Sequence, residues 1–220
     1  MHYKNPNGFL LNQTNWKNMY FYQKTDVLYQ MTVAFCDRFI PLHGDRTRDQ
    51  MIQAARSGKQ NIVEGLADGV TSTEMMVKLI NVARASLHEL HEDYQDYAKA
   101  NNLAVWDKKH PRFDRLLKFC RTNNKLEEYQ PFFCQWDGEE YCNTAITLCH
   151  IVDKMLFSYL ENLEKDFIEN GGIKERMHKV RTDYRDQQDA ELERLRKEVP
   201  LLKSEILRLQ KILKDNGINF

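Results

Sequence analysis

The sequence predicts an all-α protein: an antiparallel up-and-down four-helix bundle with an inserted short helix and a C-terminal helical coiled-coil tail. Three observations carry that expectation. Apolar residues recur at steps of three and four through four long segments, the spacing of a buried helical stripe. The 220 residues include only 9 Gly and 5 Pro, with 42% hydrophobic and 29% charged, the profile of a soluble helical protein. One pair of long segments is joined by a link so short that the two helices must lie antiparallel. The expected divisions are an N-terminal lead over 1–14, the bundle over 15–171 with its insert at 101–137, and a helical tail over 172–220.

The first helix is expected over 15–39, stopped by Pro41 and Gly44, with Val27, Met31, Phe35 and Phe39 on its apolar face and Phe21, Tyr22 and Leu28 widening it. So many aromatics suit either a core face alone or a second face against another subunit. The second helix, over 45–67, places Met51, Ala55, Gly58, Ile62 and Gly65 on one seam. Each seam glycine costs roughly 1 kcal/mol in helix propensity. That cost makes sense where another backbone comes close.

The second helix should stop near Asp68-Gly69, and Thr71 with Glu74 three residues on offers a capping box for the third. Met76, Leu79, Ala83, Leu87, Leu90, Tyr94 and Tyr97 form its stripe, and Asn101-Asn102 ends it. The two helices make an αα-hairpin. Asn61, Glu64, Ser86 and Glu89 sit on its two arms, where the expectation is a structural polar network of cross-helix hydrogen bonds.

Within this hairpin Gly58, Asn61, Ile62, Glu64 and Gly65, then Ser72 and Glu74, then Val82-Ala83-Arg84-Ala85-Ser86-Leu87 with Glu89-Leu90, form a pattern across two helices. It resembles that of the four-helix-bundle proteins encoded in intervening sequences of bacterial ribosomal RNA genes, relatives of the accessory variability protein of diversity-generating retroelements. The resemblance covers roughly residues 15–170. It is strongest to a longer subgroup, the four-helix-bundle suffix proteins, through the QAARSGKQNI and WDKKHPR stretches and the tail. What it implies is an antiparallel four-helix bundle assembling as a ring, a homopentamer favoured, with nucleic-acid binding among some members and no established catalysis.

After the hairpin, Pro111 and Pro131 interrupt the helical pattern, and a short helix is expected from Pro111 or Arg112 to Arg121. Between residues 101 and 125, Lys108, Lys109, Arg112, Arg115, Lys118, Arg121 and Lys125 face only Asp107 and Asp114, a formal charge of 7 minus 2, or +5. Such a segment is either a solvated connector or a phosphate-binding surface, with Trp106, Phe113 and Tyr129 offering faces to unstacked bases. Arg46, Arg48, Arg56 and Lys59 on the second helix form another basic group, able to extend the patch if the fold brings the two together.

The fourth helix, over 138–169, carries Tyr141, Ala145, Leu148, Val152, Met155, Tyr159 and Leu163 beside a second row of Cys142, Cys149 and Leu156. This width suits a core and a subunit contact together. Gly171-Gly172 then breaks the helix. The tail is polar until Leu192, after which Leu192, Leu195, Val199, Leu202, Ile206, Leu209 and Leu213 keep the coiled-coil repeat, with a restart or kink expected at Pro200. Two arrangements stay open: tails pairing around a symmetry axis, or a tail folded back on the bundle.

Composition narrows the function. The 32 basic residues balance 32 acidic ones, so any electrostatic attraction for nucleic acid is local. The tail, with 12 Lys and Arg against 9 Asp and Glu, is too mildly basic to be a nucleic-acid arm. No stretch approaches about 18 uncharged apolar residues, and none has the apolar core of a signal peptide, so a cytoplasmic protein without membrane contact is expected. Five cysteines with no CxxC pair suggest reduced packing residues rather than disulfides or zinc.

A di-iron bundle needs Glu-x-x-His on two helices, and Glu175 with His178 is a single pair, in the polar tail. His88, His91 and Glu92 read as solvated residues opposite the Leu87-Leu90 stripe. Nucleotide-binding, hydrolase and metalloprotease motifs are absent from the sequence. The expectation is a non-enzymatic homo-oligomer without cofactor or metal, whose basic surfaces meet RNA or DNA, or a nucleic-acid-processing partner. The alternative is a protein scaffold acting through its tail.

Overall fold

The computed structural model describes residues 15–41, 46–69 and 72–216, and among these it is helical with no strand. The chain divides at Asn170 and Gly171 into two compact units. The first contains α1 (Tyr20–Phe39), α2 (Thr47–Asp68), α3 (Thr73–Ala100), α4 (Phe113–Thr122), α5 (Leu126–Tyr129) and α6 (Gly138–Asn170), with 3-10 turns at Trp16–Asn18 and Gln130–Phe132. The second contains α7 (Ile173–Asp215). In the first unit α1 packs on α2 and α6, and α3 packs on the same two helices.

Local chemistry sets the ends. Ser72 takes an extended backbone and its hydroxyl accepts from the Met75 N–H at 3.2 Å, so the cap of α3 is Ser72. Thr71, expected in that role, lies outside the described residues, as do Gly44 and Asp45. At the other end Asn102 adopts φ 55°, and the Leu103 N–H returns to the Ala98 carbonyl at 2.9 Å, a left-handed closure that asparagine tolerates. Asp137 and Glu140 exchange side-chain and backbone hydrogen bonds at the head of α6, 2.8 and 3.3 Å. Gly171, at φ 70°, ends that helix.

The core follows the stripes. Met31 and Phe35 of α1, Met51 and Ile62 of α2, Ile80, Leu87, Leu90 and Tyr94 of α3, and Leu148, Val152 and Leu156 of α6 are fully buried. The Phe35 ring sits 4.9 Å from both Tyr94 and Tyr97 and 5.6 Å from Tyr141, joining three helices through tilted and edge contacts. The Tyr94 hydroxyl is not stranded. It donates to Thr32 Oγ1 at 3.0 Å, and Thr32 in turn donates to the Leu28 carbonyl at 2.7 Å.

The seam glycines of α2 meet α3 closely. A Cβ on Gly58 would lie 2.8 Å from Leu87 Cδ2, and one on Gly65 would lie 3.2 Å from Leu79 Cβ. α7, a long bent helix, passes through Pro200 without ending, so of the two alternatives expected there, a restart or a kink, the restart does not occur. It contains no buried residue. No helix among the described residues is long and apolar enough to cross a membrane.

Two predictions follow from this packing. Gly58→Ala gains about 1 kcal/mol of helix propensity but overpacks against Leu87, which costs about 1–3 kcal/mol. The net effect expected in urea unfolding is destabilisation, while in a Leu87→Ala background the same change is neutral or stabilising; strictly additive effects would contradict the close approach.

The second concerns the thiols of Cys36, Cys120, Cys142 and Cys149, all buried. Burial pushes Cys36, Cys120 and Cys142 up to about 12 and raises Cys149 as well. An unfolded thiol ionises near 8.5. The folded state therefore holds more protons above that pH, and stability, intact below it, falls as pH rises toward 12. The loss at pH 10 is about 2 kcal/mol per thiol. The urea midpoint should drop between pH 8 and pH 10, and drop less in Cys149→Ala; an equal drop would contradict this origin.

Candidate nucleic-acid interface

The basic segment is held to the first unit by three anchors, each built from residues distant in sequence. The first is Lys24 on α1, at 0% exposure. Its ammonium donates to the Cys120 carbonyl in the last turn of α4 and, at 2.6 Å, to the carbonyl of Asn123, the residue that caps it. A cation at a helix C-terminus also meets the negative end of the helix dipole. Burial pulls the Lys24 pKa below the ordinary lysine value, and Cys120 and Glu128 act in the opposite sense. Tyr129 of α5, itself fully buried, adds a hydroxyl donor to Asn123 O at 3.0 Å.

The second anchor is Trp106. Its indole N–H donates to Glu139 at 2.7 Å and its backbone N–H to Asn143 Oδ1 at 2.7 Å, both on α6. The Trp106 bond is the leading reason that the Glu139 carboxyl stays below the usual carboxylate range, with the Ala104 amide and Arg112 assisting against burial. The His110 ring stacks on the indole at 4.4 Å, and the Arg112 guanidinium lies 4.5 Å from the same ring while pairing with Glu140 at 2.8 Å. The third anchor is Arg38 of α1, which donates to the Phe133 carbonyl and, at 3.0 Å, to that of Trp136.

These anchors correct the expected roles of two aromatics. Trp106 is 9% exposed and Tyr129 0%, so neither offers a face to a base, and Phe113 is half-buried. The indole N–H and the phenol O–H need partners when buried, and the α6 carboxylate and the α4 terminus supply them.

The cations divide likewise. Arg112 is paired with Glu140. Lys108, Lys109, Arg115, Lys118 and Arg121 are exposed, with no ion pair among the described residues. On α2, Arg48 binds Asp37 and the Cys36 carbonyl, and Lys59 binds Asp26 at 2.6 Å over the Tyr29 ring, both ties to α1. Arg46 and Arg56 remain exposed. α4 lies against α6 and α5 against α1, whereas α2 packs on α1 and α3, so the two basic groups ride on different elements.

The polar contact across the hairpin differs from the one expected. Ser57 Oγ and Ser86 Oγ are 2.9 Å apart, and Asn61 Nδ2 donates to Ser57 Oγ at 3.1 Å and to its carbonyl at 2.9 Å. Glu64 and Glu89 are exposed and take no part, because a carboxylate drawn into this seam without a cation would lose its hydration unrepaid. Arg84 instead joins α3 to α6 through Asp153 at 2.7 Å, with His88 at 3.1 Å from the same oxygen. Burial raises the Asp153 carboxyl, but these two bonds outweigh it and the net shift is downward. His91 lies 3.2 Å from Glu92, and no cluster of three or more His, Cys, Asp or Glu is gathered among the described residues.

Lys24, Asn143 and Arg38 escaped sequence reasoning. For Lys24 a signal existed: it stands three residues after Phe21 and four before Leu28, on the buried stripe where a lysine requires a reason. Comparison with family models, curated proteins and solved structures finds no match to the chain.

Proposed function

We propose that α1, α2, α3 and α6 form an antiparallel up-and-down four-helix bundle, and that the protein is a non-enzymatic, self-associating cytoplasmic protein of the resembled family that binds nucleic acid along its phosphate backbone. One observation carries the reading: Lys108, Lys109, Arg115, Lys118 and Arg121 are exposed, free of ion pairs among the described residues, and displayed on a segment anchored at both ends. Cations that neutralise phosphates release condensed counterions, so they supply affinity without reading sequence. With Trp106 and Tyr129 buried, contact runs through phosphates rather than through stacked bases. Self-association multiplies such a surface and adds avidity without new contacts. A second reading, a scaffold that joins other chains through α7, is favoured by the exposed apolar row from Leu192 to Ile212.

Fluorescence anisotropy with a labelled single-stranded RNA across a salt series tests the first reading. Affinity should fall steeply with salt, and replacing Lys108, Lys109, Arg115 and Lys118 by Gln should flatten the log–log slope by about 0.7 per lost contact. Arg46→Gln with Arg56→Gln should change it little. Absence of binding at low salt, or an unchanged slope in the fourfold variant, would refute the proposal.

A further inference from the structure

The apolar row of α7 defines a heptad frame that specifies its own partner. Leu192, Val199, Ile206 and Leu213 fall at the a positions and Leu195, Leu202 and Leu209 at the d positions. All but Leu213 are among the exposed large hydrophobic residues, Leu202 at 55% and Ile206 at 54%. A helix with a continuous exposed seam of this kind is one half of a coiled coil. Branched Val and Ile at a, combined with Leu at d, favour two strands over three or four.

The flanking charges choose the orientation. In this frame Glu191, Glu198 and Glu205 occupy g, and Arg196, Lys203 and Gln210 occupy e. In a parallel, in-register pair each g residue meets the e residue five positions on in the other strand. Glu191 then faces Arg196, Glu198 faces Lys203 and Glu205 faces Gln210: two ion pairs and a hydrogen-bonding pair, each made twice by symmetry. An antiparallel pair sets g against g and e against e, which brings glutamate to glutamate and cation to cation. Glu198 and Lys203 have no ion pair among the described residues, whereas Glu191 reaches Arg194 at 2.8 Å within its own helix.

Pro200 falls at b, away from the seam, so its missing N–H and the bend of α7 leave the a and d rows continuous. Upstream the frame places Arg185 at a and Gln188 at d, so the seam starts at Leu192. Leu201 and Leu207, at c and b, lie off the seam, and Ile212 at g broadens its C-terminal end.

We infer that α7 pairs with α7 of a second copy as a parallel, in-register, two-stranded coiled coil over residues 192–213. The inference rests on the second reading above, that α7 is an interaction surface, and adds the partner, the strand number and the direction. Two-stranded tails also make the number of copies even, unlike the lone five-membered ring that the family resemblance implies.

The test uses the full chain with its exposed thiol removed, Cys134→Ser, and Leu213→Cys added at the last a position. Under mild oxidation the parallel pair should yield a covalent dimer on a non-reducing gel. In an antiparallel pair the two 213 positions lie about 30 Å apart. A mixture of this chain with a Leu192→Cys chain should then give the cross-linked product instead, and that result would overturn the inference while leaving α7 as the interaction surface. Light scattering of the unmodified chain supplies the mass, two copies being expected. Ile206→Lys, at an exposed position of the seam, should halve that mass without loss of helical circular dichroism. Three or more copies that fall to one in Ile206→Lys would overturn the strand number. A mass unchanged by Ile206→Lys would remove both the inference and the scaffold reading.

Discussion

A single buried ammonium decides where the basic surface sits. Lys24 lies on the apolar stripe of α1, where a charge is costly, and it is retained there by two carbonyls at the end of α4. Hydrogen bonds to a charged donor are worth about 1.5–3 kcal/mol each in net terms, more than neutral ones. They join residues nearly a hundred positions apart, so the insert is placed by long-range contacts rather than by its own helix propensity. Tyr129 and the Glu128 capping contacts at Asn124 and Lys125 complete the same corner. With the C-terminal end of α4 fixed there and Trp106 fixed on α6, the outward face of the segment is left to its cations.

Much of the helical layout was legible because it depends on period. The steps of three and four in α2 and α3 place Met51, Ile62, Leu87 and Tyr94 at the core, and the two seam glycines announce the close approach that Leu87 makes to Gly58. Ends were less legible. A cap depends on which of two adjacent hydroxyl residues takes the extended backbone, and at α3 Ser72 does so. α5 is four residues long, too short for any periodic signal. At Pro200 the sequence leaves a restart and a kink both open, and α7 runs through it as one bent helix.

The candidate site was legible only as a count of charges. Nearest-neighbour composition marks 101–125 as basic, but it does not reveal that Arg112 is held by Glu140, or that Arg48 and Lys59 are held by Asp37 and Asp26. Pairing of that kind is a tertiary fact. The same holds for the aromatics: Trp106 and Tyr129 carry polar handles that a folded interior can satisfy, and here it does so with Glu139 and Asn123. Glu64 and Glu89 show the converse, charges on a promising face that stay in water.

The anchoring by Lys24 is tested most directly by hydrogen exchange in Lys24→Met, which keeps the length of the side chain and removes the donor. Amides of α4 should exchange at least about tenfold faster, the consequence of losing charged hydrogen bonds at its C-terminus, while those of α3 keep their protection. Unchanged protection in α4 would mean that apolar docking of Leu116 and Phe119 holds the insert without the ammonium. A uniform loss across α3 and α4 would mean that Lys24 supports the first unit as a whole rather than the insert.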